Sequence, residues 1–277
     1  MPQSSPPLDP AITAYYERTA EEARLAHGTS QLELVRTREL ILRHAPKPPA
    51  AVLDVGGAAG AYAFWLAELG YEVHLIDASA RLVGIARTRD QRSEHRLASC
   101  TVGDARALSV PPNGADMVLM LGPLYHLVDE GHRLQALAEA ARALRPGGVL
   151  IAAGISRWAS LLDGLSRELL RDPDFQKIVK RDLVDGRHQN PTDRLDYFTT
   201  AYFHVPAELR QEVAAAGFTV EGLYGIEGPG WILADLVDRW NDPARREVLL
   251  QAARALESEP AALGWSAHLL VVGRRPR

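Results

Sequence analysis

The stretch Val52-Leu53-Asp54-Val55-Gly56-Gly57-Ala58-Ala59-Gly60 decides the fold. A short apolar, β-branched run ends in glycines and opens onto a helical pattern over 60–69, which Gly70 closes. A strand that ends this way brings backbone N–H groups up against a ligand, and only residues without a bulky Cβ permit that approach. The loop is not the Gly-x-Gly-x-x-Gly of dinucleotide binders, and an acid, Asp54, stands at the strand end. A carboxylate there repels a pyrophosphate and suits a cationic amino-acid ammonium.

Outward from this turn the pattern alternates. Residues 71–76 read as a second strand, 79–89 as a helix, 97–102 as a third strand and 115–120 as a fourth. A helix over 130–144 follows, then the turn Arg145-Pro146-Gly147-Gly148 and a fifth strand over 149–153. Such alternation predicts an α/β fold, a doubly wound, mostly parallel sheet with helices on both faces. Upstream, Pro10 to His27 reads as a helix, and Ser30 as the N-cap of a second one running to about His44. Regularity lapses over 155–204, with a helix at 158–170, a charged segment at 171–187 and a polar loop at 188–196. A connection of that length is a lid or binding element. Residues 206–216 return to helix, 218–226 to strand, 231–258 mostly to helix and 267–272 to a final strand.

Two more acids share the edge of the first turn. Asp77 ends the second strand, 21 residues after Gly56, where a carboxylate accepts ribose hydroxyls. Asp104, in Gly103-Asp104-Ala105, follows the third strand and could accept the exocyclic amine of an adenine. Three acids at three successive strand ends describe one ligand pocket.

These residues resemble the class I S-adenosylmethionine-dependent methyltransferases, in particular the bacterial small-molecule branch. The resemblance covers about 50–153, through Leu-Asp-Val-Gly-Gly-Ala-Ala-Gly, Ile-Asp-Ala-Ser, Gly-Asp-Ala, Leu-Gly-Pro-Leu-Tyr-His-Leu and Leu-Arg-Pro-Gly-Gly. It implies seven strands with an antiparallel last strand, and S-adenosyl-L-methionine as cofactor. It also implies that Gly56 and Gly60 hold the methionine part, Asp77 the ribose, and Asp104 with Ala105 the adenine. Asp54, Gly57, Ala58, Ala78, Leu121, Gly122 and Tyr125 complete the expected cofactor site. Ala58 departs from the glycine many members have, and alanine fits if its φ is negative. Tyr15-Tyr16 with Glu21, Glu22 and Arg24 resembles the N-terminal helix that closes over the cofactor, so Tyr16 and Arg24 join the site and Tyr15 faces the substrate.

Methyl transfer is an in-line displacement whose protein tasks are alignment, desolvation and, for protic nucleophiles, removal of a proton. No metal is required, and the nine histidines are scattered. His126, after the fourth strand, is a candidate base or a residue that fixes its loop. A second group lies in and after the insertion: His188, Tyr202 and His204 as further candidates, with Asn190 and Tyr197 as substrate contacts. Trp231 lines the pocket or anchors a helix. The resulting organisation is a tail and cap helices over 1–46, a cofactor-binding core over 47–155, a substrate cap over 156–204, and the rest of the sheet over 205–277.

Composition narrows the alternatives. The chain has 277 residues, 47% hydrophobic and 24% charged, enough for one large α/β domain with a real core. A net charge of −4 argues against a constitutive grip on nucleic acid. The one cysteine, Cys100, excludes an intrachain disulfide. No apolar run approaches the ~20 residues of a membrane span, and Met1 to Pro7 reads as a short disordered tail without a signal-peptide pattern. The expectation is a cytoplasmic monomer or homodimer acting on a small-molecule acceptor at N, O or C, with no nucleic acid or membrane partner. A nucleic-acid or protein methyltransferase, a nicotinamide oxidoreductase and a non-catalytic cofactor-binding subunit are the rivals.

Overall fold

A computed structural model describes residues 9–19, 24, 25, 28 and 30–277. The expected tail, Glu21 and Glu22 lie outside them. The chain runs α1 (Pro10–Arg18), α2 (Ser30–His44), β1 (Ala51–Val55), α3 (Ala63–Glu68), β2 (Glu72–Asp77), α4 (Ala80–Arg92), β3 (Ser99–Val102), β4 (Ala115–Met120), α5 (Pro123–His126) and α6 (Glu130–Ala143). It continues with β5 (Leu144–Ser156), α7 (Ala159–Ser166), α8 (Pro173–Asp185), β6 (Arg187–His188), β7 (Ala201–His204), α9 (Pro206–Ala215), β8 (Thr219–Gly225), α10 (Leu236–Asn241), α11 (Pro243–Leu256) and β9 (His268–Arg274).

Strands β3-β2-β1-β4-β5 lie side by side and parallel, so their carboxyl ends share one edge. β9 runs antiparallel along β5, from Val149 opposite Arg274 to Ile155 opposite His268, and β8 pairs antiparallel outside it. The seven expected strands are therefore present, with the antiparallel last strand. Two short ones add to them: β7 pairs parallel with the tip of β5, and β6 antiparallel with β7.

Alternation along the inner strands explains why both sheet faces are covered. Val52, Val73, Leu75, Met117, Leu119 and Ile151 pack on one face against Leu40 and Ile41 of α2, Phe64 and Leu66 of α3, and Val83 of α4. Their neighbours Leu53, Val55, Ile76, Val118, Met120 and Leu150 pack on the other against Leu137 and Ala140 of α6 and Leu209 and Val213 of α9. With a period of two, each strand feeds two cores at once. No described helix is long and apolar enough to cross a membrane.

Some boundaries differ from the sequence reading. The glycine turn extends further than expected, and α3 begins only at Ala63. The Arg145-Pro146-Gly147-Gly148 turn lies within β5: Leu144 still pairs with Ala115, and pairing resumes at Val149 opposite Met117. The charged segment after residue 171 is largely helix α8. Asp172 caps it by accepting from the Asp174 amide, Pro173 starts it, and Gly186 ends it at φ +73°. Phe175, Ile178, Val179 and Asp182 form its buried stripe. The segment from α7 to β7 leaves the carboxyl end of β5 and returns to it, where β7 pairs with Ile155 and Ser156 and β6 pairs with β7.

Candidate active site

The glycine turn is built by close approach. The Gly56 amide donates to the Ile76 carbonyl of β2 at 2.7 Å, and Gly56 adopts φ +73°. A Cβ on Gly56 would lie 2.6 Å from Cδ of Pro123, and one on Gly57 2.6 Å from Oδ2 of Asp54. Neither space can hold even a methyl group. Ala58 corrects an expectation, since its φ is +49° rather than negative. Its amide donates to Oδ2 of Asp77 at 2.8 Å, a bond that draws the turn into this shape against the steric preference of alanine.

A cavity of about 430 Å³ opens at the carboxyl edge over this turn. Asp54, Gly56, Gly57, Ala58, Asp77, Ala78, Asp104, Ala105, Leu121, Gly122 and Tyr125 border it from below, and Tyr16 and Arg24 from the N-terminal side. Gly60 does not border it. That residue, at φ +84°, turns the chain into α3, and its amide donates to the Gly57 carbonyl at 2.8 Å. Of the candidate bases only His126 borders the cavity.

The acids differ in state. Asp54 is 1% exposed, and its Oδ2 has no hydrogen-bond partner. Burial first, and then the neighbouring charge of Asp77, push its pKa up to about 7, although the Ala63 amide donates to it. Asp77 is also raised by burial, with the amides of Ser79 and Ala58 pulling it back as each donates to one oxygen at 2.8 Å. Asp104 goes the other way. Burial opposes its charge, but the Arg106 side chain and amide outweigh that and hold it below the usual carboxylate range.

His126 is oriented at both nitrogens. The Thr200 carbonyl faces Nδ1 at 3.4 Å, which assigns the ring proton there. Nε2 is then an acceptor, and the Tyr16 hydroxyl donates to it at 2.6 Å. Burial, partly offset by Thr200, pushes the His126 pKa down to about 4. The imidazole is neutral across the ordinary pH range, with its Nε2 lone pair on the Tyr16 hydroxyl. Tyr15, Tyr125 and Phe198 surround this pair edge-on or tilted.

The remaining candidates sit elsewhere, for identifiable reasons. His188 is 1% exposed, with Nδ1 on Asp182 at 2.7 Å and Nε2 on the Tyr197 carbonyl at 2.8 Å, so no nitrogen is left for a substrate. His204 is buried against Glu212 at 3.3 Å. The Tyr202 ring lies 3.8 Å under the Arg133 guanidinium, and its hydroxyl donates to Glu208 at 3.3 Å. Asn190 donates to the carbonyls of Arg194 and Phe198, and Tyr197 donates to Asp172 at 2.7 Å. Tyr15 packs on Tyr16 and Phe198 but does not border the cavity. Trp231 donates to the Trp265 carbonyl and packs near Leu32 and Trp240, anchoring a 3-10 turn.

Several contributors escaped the sequence reading. Arg81 on α4 donates to the carbonyls of Tyr16 and Thr19 at 2.6 and 3.2 Å, fastening α1 over the cavity. Ile12 and Thr13 of α1 and Leu127 also border it. Behind Arg24 lies a charge network. Arg24 holds Glu33 through two bonds of 2.6 and 3.0 Å, and Glu33 stands near His268, which is bonded to Glu227 at 2.6 Å. Burial opposes the His268 charge, yet Glu33 and Glu227 raise its pKa to about 9.

A glycine turn, acids at the ends of β1, β2 and the strand beyond, and an antiparallel final strand define a class I methyltransferase fold. Solved structures of that kind match over most of the chain, among them a SAM-dependent methyltransferase from Methanosarcina mazei (TM-score 0.57, 16% identity, 86% of this chain and 97% of the other). Residues 52–148 match the family model described as a methyltransferase domain. It is 33% identical over 133 residues to the demethylmenaquinone methyltransferase of Tropheryma whipplei (47% of this chain), and spans about half of that relative's length (53%). It is 26% identical to the ubiquinone biosynthesis O-methyltransferase of Azorhizobium caulinodans, over 72% of this chain and 74% of the relative.

S-adenosylmethionine is thus the expected cofactor, and the residues present fit it. Asp54 borders the cavity, and its buried Oδ2 lacks a partner; this acidic lining suits a cation and opposes a phosphate or pyrophosphate.

Proposed function

We propose that this protein transfers the methyl group of S-adenosylmethionine to a hydroxyl of a small aromatic molecule, with His126 taking the proton. The observation that carries the proposal is one cavity bordered both by Asp54, whose Oδ2 has no partner, and by a neutral imidazole oriented by Thr200 and Tyr16. When bound, the cofactor supplies an electrophilic methyl on a sulfonium.

The chain's own residues supply the rest. Asp54 receives the ammonium, and the pairing restores its charged form. Asp77, already held by two amides, keeps lone pairs for ribose hydroxyls. Asp104 is fixed rigidly by Arg106, with Ala105 beside it, at the adenine end. α1, pinned by Arg81, covers the cavity and excludes water. The acceptor's proton passes to the Tyr16 oxygen as Tyr16 hands its own hydroxyl proton to Nε2 of His126, so the base acts through the phenol that it holds.

A base that must hold a proton during transfer is needed by a hydroxyl more than by an amine, whose lone pair is already free. The aromatic surroundings of His126 and the names of the quinone-pathway relatives favour an aromatic ring. The test is a radiolabelled methyl-transfer assay against phenols, amines and carbon acids, run with the unaltered protein and Asp77→Ala. Transfer to phenols, with Asp77→Ala weakening cofactor binding markedly, supports the reading. Transfer to amines alone overturns the acceptor class, and unchanged affinity in Asp77→Ala removes the ribose role.

A further inference from the structure

Phe198 is a bulky residue held at φ +67°, ψ −175°, a backbone region that side chains rarely occupy. Such a conformation persists only where its surroundings over-determine it, and here the bonds are visible. His188, itself paired with Asp182, holds the Tyr197 carbonyl at 2.8 Å. Asn190 donates to the Phe198 carbonyl at 2.9 Å, while its Oδ1 accepts from both the amide and hydroxyl of Thr192. The Thr199 hydroxyl donates to the Ala11 carbonyl of α1 at 3.1 Å. The fourth residue in the row, Thr200, presents its carbonyl to Nδ1 of His126. The Phe198 ring meanwhile touches His126, Tyr15 and His188.

We propose that the strap Tyr197–Thr200 is a positioning device for His126, keeping its imidazole in the Nδ1–H tautomer with Nε2 turned to Tyr16 and the cavity. His188, Asn190 and Phe198 are positioning residues that act through the strap. Ordinary loop packing would not require a strained aromatic next to the base, nor a fastening at each of four consecutive residues. The strain sets where the Thr200 carbonyl points. An extended Phe198 would redirect the chain by one residue and take that carbonyl off the ring. The same strap ties the cap to α1 through Thr199, so lid and base are set by one element. The catalytic half of this inference rests on His126 being the base, whereas the tautomer does not.

The test uses the full chain, 15N-labelled at histidine, with the His126 resonances assigned by comparison with His126→Asn. Long-range proton–nitrogen correlation distinguishes the two tautomers. The variants are Asn190→Asp, which keeps the acceptor for Thr192 and loses the donors to the strap, and Phe198→Gly, which removes the ring and accommodates the positive φ. Binding of S-adenosylhomocysteine serves as the fold control. The unaltered protein should show Nδ1–H alone, and both variants a mixture, with kcat lowered roughly tenfold, a fraction of what a positioned base provides, and KM for the cofactor unchanged. A single Nδ1–H tautomer persisting in both well-folded variants would overturn the proposal. A shifted tautomer with unaltered kcat would uphold the strap and overturn His126 as the base.

Discussion

Asp54→Asn should make the protein more stable and its cofactor site worse at the same time. The carboxylate is 1% exposed with one oxygen unpaired, and its pKa stands at about 7 against 3.8 for a free aspartate. An acid whose folded pKa is raised costs stability progressively as pH climbs from the lower value to the higher, and the cost is constant above that. At 1.36 kcal/mol per pH unit the difference amounts to roughly 4 kcal/mol at pH 8. Asparagine removes that cost, retains an oxygen for the Ala63 amide, and leaves an unpaired NH₂ worth about 1–3 kcal/mol. The net gain is about 1–3 kcal/mol at pH 8, a rise in Tm of several degrees for a chain of this size. It should shrink toward pH 4, where the native carboxyl is protonated.

Cofactor binding should move the opposite way. A charge-assisted bond to an ammonium contributes about 1.5–3 kcal/mol, so affinity for S-adenosylhomocysteine should fall about 10- to 150-fold. Thermal melts at pH 5 to 8 without ligand, and titration calorimetry with S-adenosylhomocysteine, read the two halves separately. A variant that melts lower than the parent at pH 8, or that binds S-adenosylhomocysteine equally well, refutes the reasoning that Asp54 is a carboxylate held in wait for a cation.

Three other expectations follow from the site. With its pKa at about 4, His126 should give a kcat that is flat from pH 6 upward and declines only toward pH 4, and His126→Asn should lower kcat by about 10² to 10⁴ while S-adenosylhomocysteine affinity holds; a pH profile with an inflection near 7 in the parent would contradict this. Gly57→Ala should abolish cofactor binding, because its methyl would enter the space of Oδ2 of Asp54, and overpacking should cost about 1–3 kcal/mol of stability by denaturant melts. The His268 pKa is raised from 6.5 to about 9, so its stabilisation is full below pH 6.5 and lost as pH rises through 9; His268→Gln should therefore cost roughly 3 kcal/mol at pH 6 and much less at pH 9.5, and an equal loss at both would mean that the charge contributes nothing.

The sheet was legible because its signals are local. β-branched runs, glycine stops and acids at strand ends appear within a few residues of one another, and the edge they share follows from parallel topology alone. α8 was equally written, with Asp172-Pro173 at its start, Gly186 past its end and Phe175, Ile178 and Val179 at helical spacing. Its many charges hid that stripe from a reading by composition. Ala58 failed for a different reason. Its φ is set by a bond to Asp77, which is near in sequence only by the accident of the next strand.

The three candidate histidines mark the limit of residue-type reasoning. His126, His188 and His204 look alike in sequence, each polar and each near a strand end. What separates them is the partner: a carbonyl and a phenol for the first, Asp182 and a carbonyl for the second, Glu212 with Arg133 for the third. Only the first borders the cavity, with its Nε2 lone pair on the Tyr16 hydroxyl. The groups that decide its role, the Thr200 carbonyl and the backbone of Phe198, belong to no residue type that a motif could flag. In the strap the chemistry of a side chain is chosen by main-chain geometry. His188 and Asn190 then serve the site by fixing that geometry, with neither of them touching the cavity.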